Sequence, residues 1–588
     1  GTVSIELSPP PSDLEAEYET LFITDSLLFL HELISTFDED VDQVLRLRVS
    51  RKAHLDLTGD LPSFLESTTH IRTDPAWRVL PIPPRLQKRH VDIGDLAPCN
   101  TKRFIEALQS PAQGIQVDFD DGNCPTYHNQ IKGIHNVFKA VHNQFPNVPH
   151  IAQAPVLMLR PRAWNMMEHN MMVVEGKEVP GPLFDFGLLM FHCGKTLFEN
   201  KSGPFFYLSK VESLMEARLW NKIFVWTQQK LDLPQGSIKV MVLIENVLAA
   251  FEMEEILFEL RDHSVGLNCG IWDYSASFVN KFGHRQAFLL PDRSKYVNME
   301  KRFLRSYMDL LVQTCHRRGA LATGGMAALL LPKDQHSDFY RRVLATVTRV
   351  PSMPSSVRLK RSTGFPRGWD KKSIQTSSMG RLVRILTRAQ HSTLLLPSKL
   401  RDLGLNTDGI LDFLMGRPPH PLNTDTSPRA MCSAHSCTPC SRLLKLLEIK
   451  AGVDGFMVYD LSLIEPMQKL FKLQSEGDNQ LHQLRNDVTV TPDDLLSIPL
   501  GGVTLYGLKH NIAVGVLFIH AWLSGKGHFF YRGQVEDSAT AEISRSQVWQ
   551  WIRHQTQLED HSRVVNRRLL TELTTEIMME LSTLHHSF

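Results

Sequence analysis

The chain has 588 residues, which predicts one large enzyme domain with appendages or two to three domains. Lys and Arg number 64 against 63 Asp and Glu, so the net charge of +1 gives no general attraction for nucleic acid or an anionic membrane. No apolar run approaches the length of a membrane span, and the eight scattered cysteines argue against a secreted disulfide scaffold. We therefore expect a reducing compartment, no nucleic-acid partner and no membrane partner.

The first predicted elements are helices, because apolar residues recur at roughly helical spacing over residues 14–50. From about residue 114, short apolar runs alternate with longer amphipathic ones, and VLAAFEMEEILFELRDH has a strong helical pattern. The apolar runs are 115–121, 154–160, 203–210, 238–245 and 265–273. Nearly continuous apolar strands that alternate with helices predict a parallel α/β sheet.

Each apolar run ends in charged residues, which are Asp120 and Asp121, Arg160, Lys210, Glu245 and Asp273. In a TIM (β/α)₈ barrel the carboxyl ends of the strands meet at one mouth, where the active site lies. The five charged endings therefore favour a TIM barrel, and a doubly wound sheet is the main alternative.

Residues 346–440 break this pattern, because they are rich in Ser, Pro and basic residues. Such a composition predicts a disordered insertion or linker, and a solvated loop is favoured over a nucleic-acid site. Cys432, Cys437 and Cys440, with His435 nearby, are too weak a framework to favour zinc. Regular patterns resume near Leu443, and 509–527 reads as a helix that ends at a glycine turn.

Four residues are candidates for catalysis or metal binding. Glu245 and Asp273 follow two successive strands, and one or two carboxylates with water and substrate oxygens suit Mg²⁺, although ordinary ion pairs are the alternative. Arg160 could stabilise an oxyanion or form a structural ion pair. Asp537 precedes a predicted helix, so it could cap that helix, act as a base, or do both.

Several long segments together resemble the malate synthase family in its shorter, A-type form. They are RPRAWN, GPLFDFGLLMFH, GPFFYLSKVESLMEARLWN, VLIENVLAAFEMEEILFELRDHSVGLNCGIWDY, LLVQTCHRRGALATGGMAA and VEDSATAEISRSQVWQWIRH. They are collinear with the family and span roughly residues 15–345 and 445–565. The resemblance implies a TIM barrel with an N-terminal helical clasp and a C-terminal helical plug. It also implies condensation of acetyl-CoA with glyoxylate, followed by hydrolysis to malate and CoA.

The same resemblance implies roles for residues of this chain. Asp537 corresponds to the base that deprotonates acetyl-CoA, and Arg160 to the cation that stabilises the enolate. Glu245 and Asp273 correspond to the Mg²⁺ ligands. Weaker expectations are that Asp120 and Asp121 support the metal site and that Gly270 and Trp272 bind substrate.

The chain departs from the family in five places. The acidic pair is Asp120-Asp121 where the family usually has Glu-Asp, and Ile271 stands where Arg is usual. Residues 452–463 lack the family's Trp and Ala-His-Pro at the acyl-CoA side. The insertion has no recognised counterpart, and the chain ends His-Ser-Phe rather than in a peroxisomal Ser-Lys-Leu-like signal.

These observations predict five regions: a clasp (1–95), a first barrel part (96–345), the insertion (346–440), a last barrel part (441–530) and an apparently truncated plug (531–588). The resemblance implies a peroxisome or glyoxysome, with the cytoplasm as alternative. Active malate synthase is the leading hypothesis. The alternatives are the same fold acting on another acyl-CoA and 2-oxo acid, and a catalytically weak relative that binds a ligand or partner. The oligomeric state stays open.

Overall fold

A computed structural model describes residues 3–174, 176–330 and 440–584 of the chain. Its centre is a closed barrel of eight parallel strands, numbered β1 to β8 in chain order. Their bounds are Val91–Leu96, Gly114–Asp118, Val156–Arg160, Phe205–Leu208, Lys239–Ile244, Ser264–Cys269, Leu321–Ala327 and Gly455–Val458. Each strand pairs with the next in sequence, and β8 pairs with β1. The predicted TIM barrel is therefore confirmed, and the doubly wound alternative is excluded.

The barrel explains why its strands are apolar almost throughout. Side chains alternate between the two faces of a strand, and here both faces are buried. Met158, Tyr207 and Met241 pack in a cluster of their own, whereas Leu157, Phe206 and Val242 pack in the large core shared with the helices. The main helices after successive strands are Thr101–Leu108, Tyr127–Val141, Gly181–Leu189, Leu214–Lys230, Met253–Glu259, Ile271–Phe282 with Arg302–Arg317, Cys440–Ala451 and Ile464–Gln474.

The N-terminal helices Glu15–Leu21 and Thr24–Thr58 pack against the outside of the barrel. Leu30 and Leu33 of the long helix contact Gly187, where the absence of a side chain permits the close approach. Ion pairs add to this contact, with Arg48 held 2.5 Å from Glu216. Among the described residues no single helix is long and apolar enough to cross a membrane, although this bent pair passes the test of length and composition together.

The C-terminal region has its own apolar core. The helices Leu505–Leu523, Ser538–Arg553 and Arg567–Leu584 pack around Trp522, Trp551 and Leu569. A hairpin of His528–Tyr531 and Gln534–Asp537 joins the first two helices. The predicted N-terminal and C-terminal helical additions to the barrel are therefore both present.

Several details differ from the sequence predictions. Strand β1 begins at Val91, inside the range predicted as clasp, and the C-terminal helical unit begins at Leu505, inside the range predicted as barrel. The run 265–273 is not one strand, because β6 ends at Cys269 and Asp273 lies in the first turn of the next helix. Apolar residues continue across this junction, so the sequence pattern did not show where the strand ends and the helix begins.

The sequence VLAAFEMEEILFELRDH, expected to be one helix, contains two short ones, Val247–Ala250 and Met253–Glu259. The predicted helix at 509–527 is confirmed as Leu505–Leu523, followed by Gly525 with a φ of 77°. The predicted insertion lies almost entirely outside the described residues, as do Cys432, His435 and Cys437. Cys440 begins the Cys440–Ala451 helix.

Candidate active site at the barrel mouth

The carboxyl ends of the strands hold a dense network of buried charges. Asp118 ends β2 and pairs in register with Arg160, the last residue of β3. The Asp118 carboxylate accepts hydrogen bonds from the backbone N–H groups of Asp120 and Gly122, both at 2.8 Å. These two bonds shape the loop that presents Asp120 and Asp121 to the mouth.

Arg160 is the cationic centre of this network and is only 4% exposed. Its Nη2 donates to Asp120 Oδ2 at 2.9 Å and to Asp121 Oδ2 at 2.8 Å. Glu245 Oε1 lies 3.8 Å from the same nitrogen. The Nε–H of Arg160 is buried without a protein partner. Acidic residues hold the Arg160 guanidinium in place, and its Nε–H has no protein partner. Arg160 therefore suits the stabilisation of a substrate oxyanion.

Three carboxylates converge beside Arg160. One oxygen each of Asp121, Glu245 and Asp273 lies within 4.8 Å of the others. Glu245 directly follows β5, and Asp273 follows the neighbouring β6, so the parallel pairing of these strands brings them to one edge. Hard oxygen donors in this number fit Mg²⁺. Asp121, which the sequence placed only in a supporting role, is therefore as well positioned as the two predicted ligands.

Asp120 differs from Asp121 in its contacts. It lies 2.9 Å from Arg160 and 2.7 Å from Lys210, and it is not part of the three-carboxylate group. Asp120 therefore contacts the two cations of the mouth, and any support that it gives to the metal site passes through them.

Asp537 is both the cap of a helix and a member of the mouth. Its Oδ1 accepts from the backbone N–H groups of Ala539 at 2.9 Å and Thr540 at 3.2 Å, which caps the Ser538–Arg553 helix. Both cap bonds use the same oxygen, so Oδ2 stays outside the cap. The next residue, Ser538, donates a short hydrogen bond to Asp121. The C-terminal unit thus brings Asp537 to the acidic loop of the barrel.

A second acid, Asp95, lies against Asp537. It is buried at the end of β1 in a left-handed conformation, with a φ of 53°. The two carboxyl groups interact with each other, and burial raises the pKa of Asp95 to about 7. Burial, together with the charges of Asp95 and Asp121, raises the pKa of Asp537 well above its usual value. A carboxylate with a raised pKa is a stronger base than an ordinary aspartate.

The two predicted substrate-binding residues occupy different surroundings. Gly270 packs directly on Glu245, since a Cβ at this position would lie 2.8 Å from Glu245 Oε2. Its N–H donates to the hydroxyl of Tyr307 at 2.9 Å. The guanidinium carbon of Arg293 lies over the Trp272 ring, 5.0 Å from its centre. Trp272 itself packs between the barrel and the Ser538–Arg553 helix. Gly270 thus borders the acidic group directly.

The altered segment 452–463 contains β8 and the residues after it. Tyr459 follows this strand, and its hydroxyl lies 2.9 Å from His528 Nε2 in the C-terminal hairpin. His528 Nδ1 in turn lies 2.8 Å from the carbonyl oxygen of Gly122, beside the acidic loop. Arg103 lies over the Tyr459 ring, 4.0 Å from its centre. This segment therefore ties the hairpin that carries Asp537 to the barrel.

The structure brings together six sequence-predicted residues: Asp120, Asp121, Arg160, Glu245, Asp273 and Asp537. Sequence reasoning missed Asp95 entirely and noted Lys210 only as a charged strand ending. The sole sequence signal for Asp95 is that it lies in VDIGDL, a buried strand with two acids. That signal does not reveal which side chain turns toward the C-terminal unit.

The fold and site together define a TIM-barrel protein with a carboxylate-rich mouth suited to a divalent cation and completed by a C-terminal helical domain. Family models agree: one for the malate synthase TIM barrel domain matches residues 156–349, and one for the malate synthase C-terminal domain matches residues 502–587. A malate synthase of Myxococcus xanthus is 35% identical over 93% of this chain and 84% of its own. The chain belongs to the malate synthase family.

Two further relatives cover this chain almost completely. A malate synthase of Dictyostelium discoideum is 33% identical over 97% of this chain and 90% of its own. A malate synthase of Cucumis sativus, named as glyoxysomal, is 32% identical over 96% of this chain and 84% of its own. The recognition from sequence motifs is therefore confirmed.

The Asp95–Asp537 pair leads to a prediction about pH. The Asp95→Asn variant is expected to extend activity to lower pH, with the acid limb of kcat/KM shifted down by roughly one unit. The base acts in its ionised form, and the charge of Asp95 opposes that ionisation. Without this charge, Asp537 gives up its proton at lower pH. Asn also tolerates the left-handed backbone of residue 95. The measurement is kcat/KM against pH for variant and parent.

Asp460→Asn is the matched control, because Asp460 also follows a barrel strand but caps the Leu461–Leu463 turn. We expect its pH profile to match that of the parent. An acid limb that stays in place in Asp95→Asn, or moves to higher pH, would show that Asp95 does not set the ionisation of Asp537.

Proposed function

We propose that this chain catalyses the malate synthase reaction, in which acetyl-CoA condenses with glyoxylate and the thioester is hydrolysed to give malate and CoA. The observation that carries the proposal is the meeting of Asp537, from the C-terminal unit, with Arg160 and the three carboxylates at the barrel mouth. The proposed cofactor is Mg²⁺, held by Glu245 and Asp273, with Asp121 close enough to contribute.

In this proposal Asp537 removes a proton from the methyl group of acetyl-CoA, and the Arg160 guanidinium stabilises the enolate oxygen that results. A thioester α-proton is weakly acidic, so a base and a positioned cation must act together. The enolate carbon then bonds to the aldehyde carbon of glyoxylate, the C=O double bond opens, and the aldehyde oxygen takes up a proton to become the hydroxyl of malate. Water then attacks the thioester carbon, which gives the second carboxylate and releases CoA as the thiol. A bound Mg²⁺ supplies Lewis-acid polarisation and a template for glyoxylate.

The direct test is release of free thiol from acetyl-CoA by the full chain. We expect release only when acetyl-CoA, glyoxylate and Mg²⁺ are all present. Removal of the metal with EDTA should abolish the activity, and added Mg²⁺ should restore it. A folded chain that releases no thiol under these conditions would refute the proposal, and release without glyoxylate would indicate a simple thioesterase instead.

A second candidate keeps the fold but changes the substrate pair. It is favoured by the segment 452–463, where Tyr459, Arg103 and His528 stand at the proposed acyl-CoA side. A panel of acyl-CoA and 2-oxo acid pairs discriminates the two candidates, since clear preference for acetyl-CoA with glyoxylate rejects the second. Binding of glyoxylate with Mg²⁺ but no turnover would favour a catalytically weak relative.

The proposal extends to location and domain division. Plant relatives named as glyoxysomal support a peroxisome or glyoxysome, and the cytoplasm is the alternative. The proposed division is into clasp, barrel and plug, and the short hydrogen bond from Ser538 to Asp121 supports a plug that holds Asp537 at the mouth of the barrel.

A further inference from the structure

Lys210 holds an unusual position within the acidic mouth. Its Nζ lies 2.7 Å from Asp120 Oδ2, 2.8 Å from Asp121 Oδ1 and 3.8 Å from Asp273 Oδ2. Two of these carboxylates belong to the group of three that fits a divalent cation. The charges of the same acids, and of Glu245, act on the Lys210 ammonium. An ammonium therefore lies among the oxygens proposed to coordinate Mg²⁺.

The backbone of Lys210 is fixed from two sides. Its N–H donates to Glu245 Oε1 at 2.7 Å, which orients a proposed metal ligand. Its carbonyl oxygen accepts from Arg48 Nη2 of the long N-terminal helix at 2.8 Å. The backbone of Lys210 has the left-handed conformation, with a φ of 53°. Non-glycine residues keep this conformation when the surrounding structure imposes it. These contacts fix the backbone of Lys210 beside the acidic group, whereas none of them restrains its side chain.

The ammonium and a divalent cation compete for the same acid. Asp121 offers Oδ2 to Arg160 and Oδ1 to Lys210, so both of its oxygens are already paired with cations. A Mg²⁺ ion beside Asp121 would be repelled by an ammonium 2.8 Å from the same carboxylate. The Lys210 side chain has a flexible stem and is 27% exposed, so it can withdraw toward solvent.

We propose that Lys210 is an internal counter-ion of the metal site, which holds Asp121 and Asp273 together in the metal-free enzyme and is displaced from them when the divalent cation binds. It is a positioning residue that weakens metal affinity and keeps the metal exchangeable. This inference rests on the metal site of the proposed function.

The test is the Mg²⁺ affinity of Lys210→Met, measured by titration calorimetry without substrates at pH 8, where protons compete less for the freed carboxylates. We expect binding at least about tenfold tighter than in the parent, because a repelling charge is gone. In EDTA the melting temperature of Lys210→Met should be lower than that of the parent. The rise in melting temperature on adding Mg²⁺ should therefore be larger for the variant. Lys210→Arg retains the charge and should bind Mg²⁺ about as the parent does.

Lys177→Met is the matched control. Lys177 also bridges two aspartates, Asp38 at 2.6 Å and Asp42 at 2.5 Å, and is 30% exposed, but it lies beside the N-terminal helix. Its loss should leave Mg²⁺ affinity unchanged. Equal or weaker Mg²⁺ binding by folded Lys210→Met would overturn the inference. A parent protein that binds no Mg²⁺ would instead count against the proposed function.

A second measurement covers the case in which Lys210→Met does not fold. The parent is labelled by reductive ¹³C-methylation of its lysines, and the Lys210 signal is assigned as the one missing from Lys210→Arg. We expect this signal to shift on addition of Mg²⁺, whereas the Lys177 signal stays in place. A Lys210 signal that does not respond to Mg²⁺ at saturating concentration would overturn the inference.

Discussion

Asp537→Asn is expected to lower kcat by roughly 10³-fold while the protein stays folded. Asn accepts the same two cap bonds from Ala539 and Thr540 and is as good a helix cap as Asp, so the Ser538–Arg553 helix should persist. It has no carboxylate to take a proton, and thus the proposed base is lost without loss of the proposed cap. The measurement is thiol release from acetyl-CoA, with the melting temperature as the check on folding.

Glu536→Gln is the matched control for this variant. Glu536 is the adjacent acid and is likewise buried, but its neighbours are the Arg293 guanidinium and the His510 imidazole rather than the acidic mouth. We expect Glu536→Gln to retain most of its kcat. If the two variants lost activity equally, the effect would come from disturbing the hairpin, and Asp537 would not be the base. If Asp537→Asn retained the parental kcat, the assignment of Asp537 as the base would be rejected.

The barrel could be predicted from the sequence because parallel strands buried on both faces leave a simple signature. Runs such as 154–160 and 238–245 are apolar almost throughout and end in charge, and the structure places their ends at one mouth. Helix starts were harder to predict. Asp273 was assigned to a strand end, since the residues from Cys269 to Trp272 stay apolar although the chain has already turned into a helix.

The individual partners in the site could not be predicted, because they depend on contacts between distant parts of the chain. Asp95 and Asp537 are far apart in sequence and meet only once the C-terminal hairpin packs on the barrel through His528 and Tyr459. Lys210 is likewise fixed by Arg48 of the first long helix. Motif resemblance assigned roles to Arg160 and Asp537, but it contains no information on which charges surround them in this chain.

Arg160→Lys is expected to lower kcat by about 10² to 10³-fold, which is the effect of removing one oxyanion donor. The guanidinium bridges Asp120 and Asp121 through one nitrogen and keeps its Nε–H buried without a protein partner. Lysine preserves the charge, but it has a single nitrogen and therefore cannot bond this pair from the Nη2 position and also offer an N–H from the separate Nε position. Steady-state thiol release gives kcat, and calorimetry should show Mg²⁺ affinity within a few-fold of the parent, because Glu245 and Asp273 are unchanged.

Arg162→Lys separates this catalytic effect from a general effect on folding. Arg162 is equally buried and binds Asp185 and Glu168, at 2.9 and 3.0 Å, away from the acidic group. Breaking such a buried pair is expected to reduce the free energy of unfolding by several kcal/mol, on the order of 3 to 5 when one partner is removed and less for a lysine. Folded Arg162→Lys should therefore keep a kcat close to that of the parent, whereas folded Arg160→Lys should not. A similar kcat for the two variants would mean that Arg160 acts only by holding the acidic loop in place.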